Sequence, residues 1–249
     1  SIAHLRIPFK TIWLEEIPDT TVMNPEKWIH HSISEELNEL AFLEPRSIIV
    51  LDHYGLNRQW QSYLRDAGHK VVLFQDTFSS DYEADILINC NVSAIQYSDK
   101  YSHTNSDTVY LLGPRFAPLN SAYLNEHKMR FSIEKKIEVV GIYLGGVGLT
   151  ALKRVAEAFR DNSFFDNKKI EWVVSSDEEQ KILQAILYGY KLKTHVRLPS
   201  LLPVYQSSDL FVGACGVAFL ERACVGLWQL NFWVADNQSE IAETIEKEE

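Results

Sequence analysis

The chain has 249 residues, of which 46% are apolar, so it is long enough for one large or two small domains with a substantial core. Its formal charge is -10 at pH 7, which argues against a surface that binds nucleic acid or an anionic membrane. Three cysteines without metal-ligand spacing indicate a reducing compartment, and no apolar run approaches the ~18 residues of a membrane span, so we expect a cytoplasmic protein.

In the first half of the chain, predicted strands alternate with predicted helices. Continuous apolar runs indicate buried strands, whereas apolar residues three and four positions apart indicate helices. Predicted helices begin at Asn24 and span 58–67, and the predicted strands are 9–14, 47–51, 70–74, 85–89 and 109–112. Alternation of this kind predicts an α/β domain with a parallel, doubly wound sheet.

Polar side chains follow two of these strands. Asp52, His53 and Tyr54 come directly after strand 47–51, and Asp76 follows the next strand along the chain. Open α/β sheets bind ligands at the carboxyl ends of their strands, so these residues are candidate ligand contacts. The alternative is that they are capping and turn residues without a ligand.

A Gly-Pro turn at 113–114 marks a domain edge. Arg115 follows this turn and would either face a phosphate or sugar oxygen or tie two domains together. Residues 119–136 are polar and helical in pattern, and we interpret them as the inter-domain connection. The predicted domains are therefore 1–118 and 137–249.

The second half continues the alternation and adds a glycine-rich turn. A strand over 137–144 runs into Gly145, Gly146, Val147 and Gly148, and an amphipathic helix starts after them. Such a turn can cradle a phosphate, although it also occurs as a packing turn without any ligand. Further predicted elements are a strand over 170–175, a helix over 177–189 with a Ser176–Glu179 capping box, a strand over 196–198 and a helix over 201–206.

Residues 208–241 contain a second strand–turn–helix unit. The pattern predicts a strand over 209–212, a helix over 217–224 and a further strand over 230–235. The turn and helix start, which would leave backbone N–H groups free for an anion, consist of Gly213, Ala214, Cys215, Gly216 and Val217.

Three polar residues of the same stretch are candidate ligand contacts. Glu221 lies one turn into the helix, where its carboxylate would accept hydrogen bonds from ribose hydroxyls. Asn237 and Gln238 come after the carboxyl end of the second strand, where ligands of open sheets bind. The alternative is an ordinary βαβ unit with glycine at its turns.

Four segments of the chain resemble the UDP-sugar hydrolases of pseudaminic acid biosynthesis. GACG, ERACVGLW and ADNQ within 213–238 match the family's GAGG-like turn, its ERC-x-x-G-x-P segment and its ADNQ strand end. The other matches are LDHYGLNRQW at 51–60, LLGPRFAPL at 111–119 and the weaker YLGGVG at 143–148. Together the four segments span most of the chain and occur in the family's order.

This resemblance implies a glycosyltransferase-B-like fold, in which two Rossmann-like doubly wound domains face a cleft and the first lacks its opening strand–helix unit. It implies release of UDP from UDP-2,4-diacetamido-2,4,6-trideoxy-altrose, with no metal and no cofactor. The expected partner is this small-molecule UDP-sugar, and neither nucleic acid nor membrane is expected. UDP would lie on the second domain, and the sugar would face Tyr54, Asn237 and Gln238.

Some features of the family are replaced in this chain. The family's catalytic histidine lies in a G-x-G-H-x-x-R loop that has no match among the 249 residues. His53 is the stand-in for the base, and His4 lies in a faint echo of the loop. Val147 and Gly148 stand where the family has Ser or Thr and then Asp. Two other interpretations stay open, a catalytically impaired relative that binds a nucleotide or a partner protein, and a glycosyltransferase.

Overall fold

The computed structural model describes residues 45–52, 55–102, 107–129, 136–233, 241, 243 and 244. The chain divides into two compact units, the first formed by Ser1–Pro118 with Ala235–Glu249 and the second by Leu119–Val234. The elements predicted at 9–14 and from Asn24 lie outside the described residues. Within the described ranges, the helices are too short or too polar to cross a membrane.

The first unit contains a parallel sheet whose strand order follows the chain. Its strands are β1 (Ile48–Leu51), β2 (Lys70–Phe74), β3 (Ile86–Asn89) and β4 (Val109–Leu112), paired in the order β1-β2-β3-β4. The α-helices are α1 (Arg58–Asp66) and α2 (Ser98–Ser102), and short 3-10 helices span Val92–Tyr97 and Pro114–Phe116. Because apolar runs supply the strands, both faces of the sheet can be covered, as parallel sheets require.

The core of this unit forms where α1 packs on the sheet. Trp60 and Leu64 of α1 are buried together with Val71, Leu73 and Leu87 of the strands. Helix α1 begins at Asn57, whose side chain accepts hydrogen bonds from the backbone of its first turn. Thr244 belongs to the same unit, where its hydroxyl accepts a hydrogen bond from Gln96 Nε2 at 3.4 Å.

The second unit contains a parallel sheet with a reversed strand order. Its strands are β5 (Val139–Tyr143), β6 (Lys169–Val174), β7 (Lys191–Val196), β8 (Leu210–Ala214) and β9 (Trp228–Phe232), paired in the order β7-β6-β5-β8-β9. Its helices are α3 (Ser121–Met129), α4 (Leu149–Arg160), α5 (Asp177–Ile186), α6 (Leu202–Ser207) and α7 (Val217–Val225). After β7 the chain crosses back to the other side of β5, which is the doubly wound pattern.

Helices cover both faces of this second sheet. On one face α4 and α5 pack over β5, β6 and β8 and bury residues such as Leu152, Phe159 and Leu183. On the other face α3, α6 and α7 enclose a second cluster that includes Tyr123 and Tyr205. The predicted α/β class with two parallel sheets is therefore confirmed.

Several element bounds differ from those that the sequence predicts. The strand expected at 196–198 is wrong, because the strand there is β7 at Lys191–Val196. It was missed because Lys191 and Lys193 alternate with less polar residues, so that no continuous apolar run exists. The segment 119–136, interpreted as a connection, contains α3, which packs against α6 and α7 of the second unit.

Gly141, in the middle of β5, is required because its neighbours leave no room for a side chain. A Cβ at this position would lie within 2.6 Å of a Phe211 ring carbon and closer still to Ser208 Oγ. We expect Gly141→Ala to destabilise the protein by about 1–3 kcal/mol, because the buried neighbours must shift. Urea unfolding measures this loss. In the control Gly146→Ala, whose added Cβ meets no described atom within 4 Å, we expect a change under about 0.5 kcal/mol. Equal stability of the two variants would contradict the expectation.

Candidate functional site

The strand order of the second unit creates a switch point between β5 and β8. These two strands are neighbours, and their register pairs Tyr143 with Gly213 at the carboxyl ends. The connection after β5 leads to β6 on one side, whereas the connection after β8 leads to β9 on the other. Open α/β sheets bind ligands in the crevice outside the strand ends at such a point.

Two helices begin at this switch point, and both start at a glycine. Helix α4 follows β5 with Gly148 as its N-cap, and α7 follows β8 with Gly216 as its N-cap. Glycine has no side chain to accept hydrogen bonds from the first N–H groups, and neither first turn contains an acidic residue. The first N–H groups of each helix therefore lack a side-chain cap, and the positive end of the helix dipole favours an anion there.

Helix α5, which follows the neighbouring strand β6, begins differently. Ser176 Oγ accepts a hydrogen bond from Glu179 N at 3.2 Å, and Glu179 Oε2 accepts one from Ser175 N at 2.7 Å. Ser176 therefore caps this helix as predicted, whereas the Glu179 side chain bonds to the N–H of Ser175 and not to that of Ser176, as a capping box would require. The first turn also carries Asp177 and Glu178, so this helix start satisfies its own donors and repels anions. The contrast favours the β5–β8 switch point as the place for an anion.

The GGVG turn after β5 is open. Gly145 has φ 74°, a left-handed conformation that favours glycine, whereas Gly146 is exposed. Among the described residues, nothing lies within 4 Å of a Cβ built at either position. Within the described part of the chain, both predicted contact residues of this turn therefore border open space.

The GACG turn after β8 is partly strand. Gly213 and Ala214 are the last residues of β8 and are buried, so their backbone is part of the sheet. Gly216 is the N-cap of α7, and Val217 at the first helical position is 66% exposed. Of the four residues predicted to bind at this turn, Gly216 and Val217 therefore lie where a ligand can reach the helix N-terminus.

Glu221 is half-buried on α7 and already has hydrogen-bond partners. Tyr205 Oη donates to Glu221 Oε2 at 3.0 Å, and the hydroxyl of Tyr123 also hydrogen-bonds to this carboxylate. Burial raises the pKa of Glu221, an effect that the two tyrosine hydrogen bonds oppose. The tyrosines, from α6 and α3, orient the carboxylate. The sequence analysis missed them because nothing local links them to Glu221.

In the first unit, the predicted polar residues gather at the carboxyl ends of the strands. Asp52 is exposed just after β1, and Asp76 is exposed near the end of β2, where its backbone oxygen accepts a hydrogen bond from Asn91 Nδ2 at 2.7 Å. Burial raises the pKa of the Cys90 thiol, and the carboxylates of Asp76 and Asp52 raise it further. The sheet therefore brings Asp52, Asp76 and Cys90 together, as parallel strands that end at one edge must.

The remaining predicted site residues divide into one that is described and four that are not. Arg115 is exposed in the 3-10 helix Pro114–Phe116, and its guanidinium lies 5.2 Å from the centroid of the Phe116 ring. His53, Tyr54, Asn237 and Gln238 lie outside the described residues, so their predicted roles stay predictions. Among the residues that are described, His, Cys, Asp and Glu form no group of three that could hold a metal ion.

No protein-family model matches the chain. A curated relative, the uncharacterized protein MJ1062 of Methanocaldococcus jannaschii, is 23% identical over 201 residues, which are 77% of this chain and 41% of the relative. The chain thus spans less than half the length of this relative.

Solved structures share the fold. MurG of Acinetobacter baumannii superimposes with a TM-score of 0.54 at 14% identity, covering 99% of this chain and 71% of that chain. UGT2 of Phytolacca americana, in complex with UDP-2fluoro-glucose and pterostilbene, gives 0.55 at 12% identity over 86% of this chain and 62% of that chain. UGT89C1 of Arabidopsis thaliana, in complex with UDP-L-rhamnose, superimposes with a TM-score of 0.54 at 15% identity, covering 87% of this chain and 59% of that chain. The chain therefore has the fold of the glycosyltransferase-B (GT-B) enzymes, with two Rossmann-like α/β units.

Proposed function

We propose that the second unit binds the UDP part of a nucleotide sugar at the switch point between β5 and β8. One observation carries this proposal, namely that the two helices which start at this point are both N-capped by glycine. Because Gly148 and Gly216 are the N-caps, the first N–H groups of α4 and α7 have no side-chain cap. The two helices follow neighbouring strands, β5 and β8. A diphosphate has two charged groups and can use both helix starts at once.

The charge of the chain makes this local site more specific. A net charge of -10 repels a nucleoside diphosphate over most of the surface. The two helix starts at the switch point lack acidic residues, and the exposed Gly146 and Val217 allow the ligand to approach the backbone. An anion is therefore attracted to this place by fixed donors rather than by a basic surface.

We propose that Glu221 binds the ribose of the nucleotide. Its carboxylate is held by Tyr205 and Tyr123, one turn below the start of α7. A carboxylate whose orientation is fixed before binding loses little rotamer entropy when it accepts hydrogen bonds from ribose hydroxyls. The free lone pairs of its two oxygens are sufficient for this, because an ionised carboxylate has about four acceptor sites.

The proposed reaction is hydrolysis of UDP-2,4-diacetamido-2,4,6-trideoxy-altrose, supported by the resemblance of the DHYG, GPRF and ADNQ segments. A water oxygen forms a bond to the anomeric carbon, and the bond from this carbon to the phosphate oxygen breaks. The electron pair leaves with UDP, and the proton of the water goes to a base. From the resemblance of the DHYG and GPRF segments, we propose that Asp52, His53, Tyr54 and Arg115 take part in recognition of the sugar.

A glycosyltransferase is the second candidate, because a likeness to MurG covers 99% of the chain. Such an enzyme transfers the sugar to an acceptor hydroxyl instead of water. The two activities differ in one measurement, which is UDP release from the UDP-sugar without any acceptor. Release under these conditions supports hydrolysis, whereas UDP binding without release supports a transferase or a catalytically impaired binding protein.

UDP binding and its dependence on Glu221 can be measured by isothermal titration. We expect the wild-type chain to bind UDP and Glu221→Ala to bind it more weakly by about 1–3 kcal/mol, as expected for a lost hydrogen bond to a charged group. Glu157→Ala is the control, because Glu157 is exposed on α4, a helix of the same unit. No heat and no thermal shift with millimolar UDP in the wild type would contradict the proposed function.

A further inference from the structure

Arg222 of α7 is a fully buried cation beneath the GACG turn. Its side chain is 0% exposed, and Nε donates to Gln229 Oε1 at 2.9 Å. Nη2 donates to the backbone oxygen of Ala214 at 2.9 Å and to Asn231 Oδ1 at 2.8 Å. One guanidinium thus joins the last residue of β8 to two side chains of β9.

Gly213 makes room for this guanidinium. A Cβ at Gly213 would lie 2.7 Å from Arg222 Nη1 and 2.9 Å from the backbone oxygen of Tyr143. The φ of Gly213 is not in the left-handed region, so glycine is required here for space. The glycine at the end of β8 and the arginine one helix later therefore form one packing arrangement.

The peptide between Ala214 and Cys215 is held at both of its polar groups. Its oxygen accepts a hydrogen bond from Arg222 Nη2, and its N–H donates to the backbone oxygen of Phe232 at 3.1 Å. This peptide immediately precedes Gly216, the N-cap of α7. Arg222 therefore fixes the backbone that leads directly into the N-terminus of α7.

Nε and Nη2 of the Arg222 guanidinium are hydrogen-bonded to neutral groups. Its hydrogen-bond acceptors within the described ranges are a backbone carbonyl and two side-chain amides, which are neutral. Nη1 makes no hydrogen bond to any residue that the structure describes, and the guanidinium lies 5.4 Å from the centroid of the Phe211 ring. Burial lowers the pKa of Arg222, an effect that Tyr205, Cys215 and the carboxylate of Glu221 oppose. A phosphate near this buried cation would add to the stabilisation that the Glu221 carboxylate already provides.

We infer that Arg222 is a positioning residue for the diphosphate. Arg222 holds the 214–216 backbone in its binding geometry and adds a positive charge beneath it. The inference rests on the proposed function, since it concerns the same switch point. It makes the buried Arg222 a source of positive charge at this site. It also assigns Gly213 to the packing of Arg222 rather than to direct contact with the ligand.

The test compares the affinities of UDP and uridine for the wild type, Arg222→Met and Arg222→Lys. Uridine lacks the diphosphate, so the ratio of its Kd to that of UDP measures how much the phosphates contribute. We expect Arg222→Met to lower this ratio by about tenfold or more, because a positive charge near the phosphates and the fixed position of the 214–216 backbone are both lost. Arg222→Lys keeps the charge but loses the planar bridge, so its ratio should fall less. Arg154→Met, at an exposed position of α4, is the matched control and should keep the wild-type ratio.

Each result has a distinct meaning. A wild type that binds no UDP overturns the proposed function itself. A wild type that binds UDP, together with a folded Arg222 variant whose ratio is unchanged, overturns only the role of Arg222. Equal weakening of UDP and uridine in that variant also overturns it, because a general loss of structure affects both ligands alike. If Arg222→Met does not fold, the ratio of Arg222→Lys decides.

Discussion

Val217→Asp should lower the affinity for UDP by roughly 10–100-fold while leaving α7 as stable as before or slightly more stable. Val217 is the first residue of α7 and is 66% exposed. A carboxylate there favours the helix dipole by about 0.3–1 kcal/mol. The same carboxylate repels a diphosphate at the helix start by about 1–3 kcal/mol at the effective dielectric constant of a protein surface.

Val217→Asn provides the matched control, because asparagine has the size of aspartate without its charge. We expect its UDP affinity to stay within about threefold of the wild type, since the Coulomb repulsion is absent. Titration calorimetry and thermal unfolding of both variants check the two effects separately. Equal UDP affinity of the Asp variant and the wild type would contradict an anion site at the start of α7.

The missing G-x-G-H-x-x-R loop should reduce the turnover of the wild-type chain more than its affinity for the UDP-sugar. We expect the 249-residue chain to release UDP from the diacetamido-altrose substrate about 10²–10⁴-fold more slowly than hydrolases that contain the G-x-G-H-x-x-R loop, because a general base contributes a factor of this size. Without a base, proton transfer in the transition state is lost while ground-state contacts remain. The value of kcat should therefore fall more than KM rises.

A coupled assay of UDP release, with His53→Ala and His4→Ala alongside, checks this expectation. Both histidines lie outside the described residues, so their roles rest on the sequence. Ordinary turnover that neither substitution changes would contradict the proposal that an essential base is missing or replaced. Ordinary turnover that only His4→Ala abolishes would identify the N-terminal echo as the catalytic loop, and loss only in His53→Ala would identify His53 as the base.

Local patterns were sufficient for the elements themselves. The strands predicted at 70–74 and 109–112 have those bounds in the structure, because 71–74 and 109–112 are continuous apolar runs between polar or turn residues. The helix predicted from 217 ends before Gly226, which has φ 76° and caps α7. The two glycine turns before α4 and α7 were also evident from the sequence.

Strand order and partner choice were decided by the tertiary structure. The turns at 145–148 and 213–216 become neighbours only because β5 pairs with β8, a contact between residues about 70 positions apart that no local period encodes. Gly213 reads as a flexible turn residue in the sequence, yet it is needed because Arg222 occupies the space of its side chain. Likewise, Tyr123 and Tyr205 reach Glu221 from helices that only the packed core brings together. Periodicity records which face of an element is apolar, whereas the side chain that meets that face depends on nonlocal packing.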